Sequence, residues 1–254
     1  MKKRTSLTFA VVFLFACQGP LEEVLGPESD SQTRADARAC QDGNPFACTN
    51  VADALLTRDL PGDQGVAIEL LTEACGAGAT LACVRQAEFL SPSDAETILD
   101  DTCTAGDALA CQRLGTRLRG SDPIRAYGLF GLACEERLFH ACHQQGSMLQ
   151  TGEGVAADPE AAFALFRELC ASGGAEGCRE NAREMLDPNS PNADSETAEI
   201  LAQRACAGGD GEGCWLAAEV AAASAAERGD HETHDADVFR RRACEFGFPE
   251  DCEF

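Results

Sequence analysis

The stretches CASGGAEGC at residues 170–178 and CAGGDGEGC at 206–214 each place two cysteines at either end of a glycine-containing turn. Three chemistries are open to thiols at such spacing: ligation of zinc or an iron–sulfur cluster, thiol–disulfide exchange, and permanent cross-linking. The chain has 15 cysteines, and 14 of them fall into seven pairs: 40/48, 75/83, 103/111, 134/142, 170/178, 206/214 and 244/252. Seven residues lie between the members of every pair, and Cys17 is left over. Metal sites gather thiolates through short motifs such as CxxC, which are missing here, so ligation and redox catalysis are poorly supported. Other candidates are sparse. His231 and His234 in HETHDAD, 231–237, sit beside three acids; a transition-metal site is one reading and an exposed polar turn the stronger one. His140 and His143 flank Cys142 at a helix start, where surface or capping roles are the ordinary explanation. The GEG at 152–154 is a turn, because no strand precedes it and no Gly-Lys follows. Trp215, beside Cys214, either anchors a ligand or packs beneath the cysteines. No catalytic residue, cofactor site or metal site is assigned.

The compartment is written in the first residues. Lys2, Lys3 and Arg4 open the chain, and an apolar run from Leu7 to Ala16 follows, too short to span a bilayer. This pattern reads as an export signal over residues 1–16. LFAC, residues 14–17, resembles a bacterial lipobox, which implies cleavage after Ala16 and a lipid on Cys17. Gln18 is not the aspartate that holds lipoproteins at the inner membrane under the enterobacterial sorting rule, which implies the outer membrane. Removal of the three basic leader residues leaves 17 arginines against 43 acids, a net charge of −26. Such a charge repels nucleic acid and anionic lipid and favours a cationic partner. QGPLEEVLGPESD, rich in Pro, Gly and acid, reads as a flexible tether, so that residues 17–30 link lipid to domain.

The cysteine pairs are beats of a longer pattern. Successive first cysteines lie 35, 28, 31, 36, 36 and 38 residues apart, which marks a tandem array. Four residues after the second cysteine the side chain is small: Ala52, Ala87, Gly115, Gly146, Ala182, Ala218. Three further on stand Leu55, Leu90, Leu118, Leu149, Met185 and Ala221. This spacing lies on one helical face, called helix A below. Eight residues before the next first cysteine there is always alanine, and five before it Leu70, Ile98, Leu129, Leu165, Leu201 or Phe239, the stripe of helix B. Asp63, Ser91, Asp122, Asp158 and Asp194, twelve before that cysteine, are placed to cap helix B. Three residues past the first cysteine comes glycine in every unit but one, where Arg137 stands, so the turn there is made differently or carries strain. Helices A and B pair antiparallel, and stacked pairs form an all-α solenoid superhelix.

GSMLQTGEGVAADPEAAFALFRELCASGGAEGC, residues 146–178, resembles the Sel-like repeat (SLR), a relative of the tetratricopeptide repeat. Gly146, Gly152, Gly154, Val155, Asp158 and Ala162 fall on its motif positions. The C-x7-C of every unit is similar to the exported, cysteine-rich Hcp-like subfamily. That resemblance implies disulfides Cys40–Cys48, Cys75–Cys83, Cys103–Cys111, Cys134–Cys142, Cys170–Cys178, Cys206–Cys214 and Cys244–Cys252, each joining helix B of one repeat to helix A of the next. It covers residues 31–254 as six full repeats, starting at Cys48, Cys83, Cys111, Cys142, Cys178 and Cys214, after a partial helix near 31–40. The expected function is a protein-interaction scaffold at the cell envelope, binding a basic protein or peptide on an acidic concave face lined by helices A. The family resemblance also raises a weak penicillin-binding or β-lactamase alternative. Serine β-lactamases need a Ser-x-x-Lys pair, and past the leader this chain has no lysine.

Overall fold

In a computed structural model that describes residues 21–227 and 234–248, the chain is helical and those residues hold no strand. The helices are α1 (Leu21–Leu25), α2 (Ser31–Gln41), α3 (Pro45–Arg58), α4 (Asp63–Gly76), α5 (Thr80–Gln86), α6 (Pro92–Thr104), α7 (Ala108–Leu118), α8 (Pro123–Glu135), α9 (Phe139–Thr151), α10 (Pro159–Ala171), α11 (Ala175–Leu186), α12 (Ser195–Ala207), α13 (Gly211–Glu227) and α14 (His234–Glu245). From α3 onward the odd helices are helices A and the even ones helices B, with α2 a lone helix B ahead of them. The chain forms two compact units that meet between Ile98 and Leu99, inside α6. In the first, α2, α3, α4 and α5 pack in succession; in the second, α7 to α14 do the same. Short connections between packed neighbours make each pair a helical hairpin.

One turn, used seven times, closes helix B, and in six cases it leads into a described helix A. The amide three residues past the first cysteine donates to that cysteine's carbonyl, and the next amide donates to the carbonyl just before the cysteine. At Gly173 and Gly174 these bonds are 3.1 and 2.9 Å. The pattern is the Schellman closure of a helix end, and it needs a left-handed residue. Gly43, Gly78, Gly106, Gly173, Gly209 and Gly247 supply it, with φ between 77° and 99°. Arg137 makes the same turn with the same two bonds at φ 65°, so the exception is one of residue type and not of geometry. An arginine held there costs about 1–2 kcal/mol.

The turn brings paired cysteine Cα atoms to 4.2–4.7 Å, and disulfides close at Cys40–Cys48, Cys75–Cys83, Cys103–Cys111, Cys134–Cys142, Cys170–Cys178 and Cys206–Cys214. Cys244 is also disulfide-bonded; Cys252, the partner implied by the sequence pattern, lies outside the described residues. Each loop of about nine residues contributes roughly 2.5 kcal/mol on the chain-entropy account.

The buried face of helix B runs through the positions eight, four and one before its cysteine. The alanines at the first of these, Ala67, Ala95, Ala126, Ala162, Ala198 and Ala236, are all buried. Leu71, Leu99, Phe130, Phe166 and Ala202 at the second are more deeply buried than several of the neighbours one residue earlier, among them Leu165 and Leu201. Side-chain volume is traded across the hairpin. A Cβ on Gly115 would come within 3.0 Å of the Phe130 ring, and one on Gly146 within 2.5 Å of the Phe166 ring. Where helix A offers Ala52 instead, helix B carries Leu71. The GEG turn has a similar cause: a Cβ on Gly154, at φ 72°, would lie 2.2 Å from the carbonyl oxygen of Pro123, at the start of the preceding helix B.

Two expectations are corrected. Asp122, Asp158 and Asp194 cap their helices B through Arg125, Ala161 and Thr197 amides, but Asp63 caps nothing. It is buried, and Gly62 occupies the cap position of α4 without a side-chain bond. The flexible tether is shorter than residues 17–30, because Leu21–Leu25 is helical and both of its leucines are buried in the core of the first unit. Their i, i+4 spacing gives a single apolar face, which the Pro- and Gly-rich flanks mask in the sequence. The leader, Cys17 and Gln18 lie outside the described residues, as does His231; of His234 only the start of α14 is described. No described helix is long and apolar enough to cross a membrane.

Candidate functional site

Because every helix A begins at the same turn, equivalent residues of successive repeats align in rows. In the second unit the positions two before and one after the second cysteine are His140 and His143 on α9, Glu176 and Arg179 on α11, and Glu212 and Trp215 on α13. Helix α11 touches both α9 and α13, so these residues meet. His140 Nδ1 lies 3.9 Å from Glu176 Oε1. Arg179, only 8% exposed, reaches across to Asp210 Oδ2 at 2.7 Å and Glu212 Oε2 at 3.2 Å, and pairs with Glu180 at 3.0 Å on its own helix. Arg183 adds ion pairs to Glu180 and Glu212. Asp210 also caps α13 through the Gly213 amide.

His143 stands at the centre. Its Nε2 lies 3.3 Å from both Glu180 Oε1 and the Arg179 Nη2. Protonated, that nitrogen donates to the carboxylate; bare, it accepts from the guanidinium. Its ring packs 5.8 Å from Phe166. The role is therefore a tie between repeats rather than the surface or capping role expected from the sequence.

The network sets the charge of its members. Burial pushes the Glu180 carboxyl up, but the His143 hydrogen bond and the Arg179 and Arg183 charges together outweigh it and hold the group at about 2. The Glu176 carboxyl is lowered, chiefly by the His140 hydrogen bond. Burial works against the Arg179 cation, and the carboxylates of Asp210, Glu180 and Glu212 overcome it and raise its pKa. Four acidic side chains meet two arginines here, two acids in excess.

Above this network lies an open groove of about 670 Å³, bordered by Glu176, Glu212, Phe139, Phe246 and Phe248. Phe246 and Phe248 are 44% and 36% exposed. Trp215 packs against the Cys206–Cys214 joint and meets Phe248 edge-on at 6.3 Å, while its Nε1 donates to Glu219 at 3.1 Å. In the first unit the position two before the second cysteine holds Phe46 and Leu81, both exposed. Among the described residues no group of three His, Cys, Asp or Glu could hold a metal ion. A cluster of carboxylates tied to arginines, with aromatic rims, offers charge and apolar contact rather than a nucleophile beside a base.

A crystal structure titled as a Sel1 repeat protein from Oxalobacter formigenes matches 85% of this chain with a TM-score of 0.71 at 17% identity. The fold is that of a Sel1-repeat solenoid. A protective antigen present in uropathogenic Escherichia coli strains, described as displaying an SLR fold, matches 86% of the chain with a TM-score of 0.65 at 19% identity. The chain spans 50% of that antigen and 66% of the Oxalobacter formigenes protein. No protein-family model and no curated protein matches by sequence. With the SLR fold in place, the alternating helices are the repeat, and six disulfides at its joints fit an oxidising, extracytoplasmic setting. The ion-pair network was hard to find in advance: Arg179, Asp210 and Glu212 stand at different steps of the repeat. The available signal was the two rows themselves, in which His140, Glu176 and Glu212, then His143 and Arg179, recur at one register.

Proposed function

We propose that the chain is an envelope lipoprotein, anchored through Cys17 at the outer membrane, whose SLR solenoid is a non-catalytic scaffold for a basic protein or peptide. The groove of the second unit carries this reading. Glu176 and Glu212 are about one-third exposed at its edge, and Phe246 and Phe248 flank them, so a cationic side chain next to an apolar one finds both partners. The overall negative charge steers a basic partner inward. The lipid on Cys17 rests on the sequence LFAC and is tested by acyl-mass analysis of the mature protein beside Cys17→Ser.

The partner reading is tested with envelope extract passed over wild type and over a Glu176→Lys/Glu212→Lys chain of equal helicity. A partner retained by wild type and lost from the reversed chain, with affinity down roughly tenfold or more and falling as salt rises, is the expected result. Equal retention by both chains would remove the groove from consideration. The single tryptophan of the chain, Trp215, adds a direct readout, since occupancy beside Phe248 should change its emission.

A further inference from the structure

Helix α1 is held by more than its leucines. Leu21 and Leu25 are 1% and 4% exposed, and Val24 packs against the same core. The guanidinium of Arg58, at the end of α3, donates to Val24 O at 3.0 Å and to Leu25 O, and so closes the carbonyl end of α1 from outside. That guanidinium is itself fixed by Asp63, with Nε to Oδ2 at 2.8 Å and Nη2 to Oδ1 at 2.5 Å; Asp63 also accepts from the Leu60 amide at 3.1 Å. The fork is bidentate and its carboxylate is buried, a strong arrangement. In three other repeats the equivalent aspartate caps helix B, yet α4 forgoes that bond so that Asp63 can hold Arg58. Among the described cap positions, the one that departs from the pattern belongs to the repeat on which α1 docks.

We infer that Arg58 and Asp63 form a latch that docks the N-terminal strap on the first repeat, so that a lipid on Cys17 holds that repeat against the bilayer. The inference rests on the lipoprotein reading of Cys17. Chain length gives its scale. From Cys17 to Leu21 the chain advances four residues, a reach of about 14 Å at full extension; with α1 undocked, the free run to Ser31 is fourteen residues and about 50 Å. The latch turns a long leash into a short one, and the partner of this face of the first unit is the lipid headgroup surface.

The test uses the full chain, lipidated and reconstituted into supported bilayers, against a Leu21→Ser/Leu25→Ser variant and an Asp63→Asn variant. Reflectometry reads the gap between headgroups and protein, and hydrogen exchange reads the α1 amides that are hydrogen-bonded at its C-terminal end, such as Gly26 N, which donates to Glu22 O at 3.1 Å, together with the amides of α3. In wild type the gap stays within about 15 Å and the α1 amides are protected. In the leucine variant α1 loses protection while α3 keeps it, and the gap grows outward by tens of Å; Asp63→Asn moves both readouts the same way and less far. Unprotected α1 amides in wild type would overturn the latch, whatever the state of Cys17. A gap unchanged when α1 is seen to undock would overturn the short leash. A mature protein without acyl mass on Cys17 would overturn the lipoprotein reading and the membrane contact with it, while α1 protection in that same sample still judges the docking.

Discussion

Replacing Arg179 by methionine keeps much of the side-chain volume and removes the charge that ties α11 to α13. Arg179 is 8% exposed, and its partners Asp210 and Glu180 have side chains only 6% and 13% exposed. Breaking such a pair from one side leaves the buried Asp210 without its arginine and Glu180 with only Arg183 and His143, which costs about 3–5 kcal/mol. The loss should depend on pH in a defined sense. Glu180 sits at about 2 in the folded protein against 4.5 for a free glutamate. A depressed carboxyl contributes stability that is fully present above the unfolded value and is lost as the pH falls through the folded one. The full shift is worth on the order of 3 kcal/mol, shared among His143, Arg179 and Arg183. Without Arg179, burial raises this carboxyl with less opposition, so acid removes less from the variant than from wild type. Urea unfolding followed by circular dichroism, disulfides intact, should show the two chains far apart at pH 7 and converging between pH 4.5 and 2. A deficit of equal size at pH 7 and pH 2.5 would refute the electrostatic account and assign the cost to packing.

Gly146→Ala drives a methyl into the Phe166 ring and should cost about 1–3 kcal/mol by overpacking, offset by about 1 kcal/mol of helix propensity. Adding Phe166→Leu recreates the Ala52 and Leu71 arrangement and should recover stability; a double-mutant cycle with no coupling would contradict the volume trade. Arg137→Gly relieves a left-handed arginine and should raise the thermal midpoint, by the equivalent of about 0.5–1 kcal/mol. A fall in the midpoint would show that the arginine side chain contributes more than its backbone costs.

Much of the fold was legible because the joint imposes the same demands on every repeat. A left-handed residue three past the first cysteine, a small residue four past the second and alanine eight before the next are each forced by backbone geometry or close approach, so they recur and can be counted. The cap aspartates were legible for the same reason, save where Asp63 turned from the helix end to Arg58 at the end of the preceding helix A. The rest failed where a contact joins elements out of register. Nothing in PLEEVLGPESD announces that Arg58 will bind the end of its helix, because that bond spans more than thirty residues and occurs once. The groove was half visible: the rows follow from the period, but the burial of Arg179 among three carboxylates depends on how α9, α11 and α13 sit side by side.

The placement of the disulfides bears on how the chain survives a protease. A cut in an exposed joint, such as Ser172–Gly173, falls inside a covalent ring, because Cys170 and Cys178 remain linked and the two fragments stay one molecule. A cut in an exposed loop between helices A and B, such as residues 187–193, lies in no ring and severs the chain outright. Backbone continuity is therefore doubled at the six described disulfide joints and single between them, and non-reducing gels of a partial digest should show breaks at the A-to-B loops.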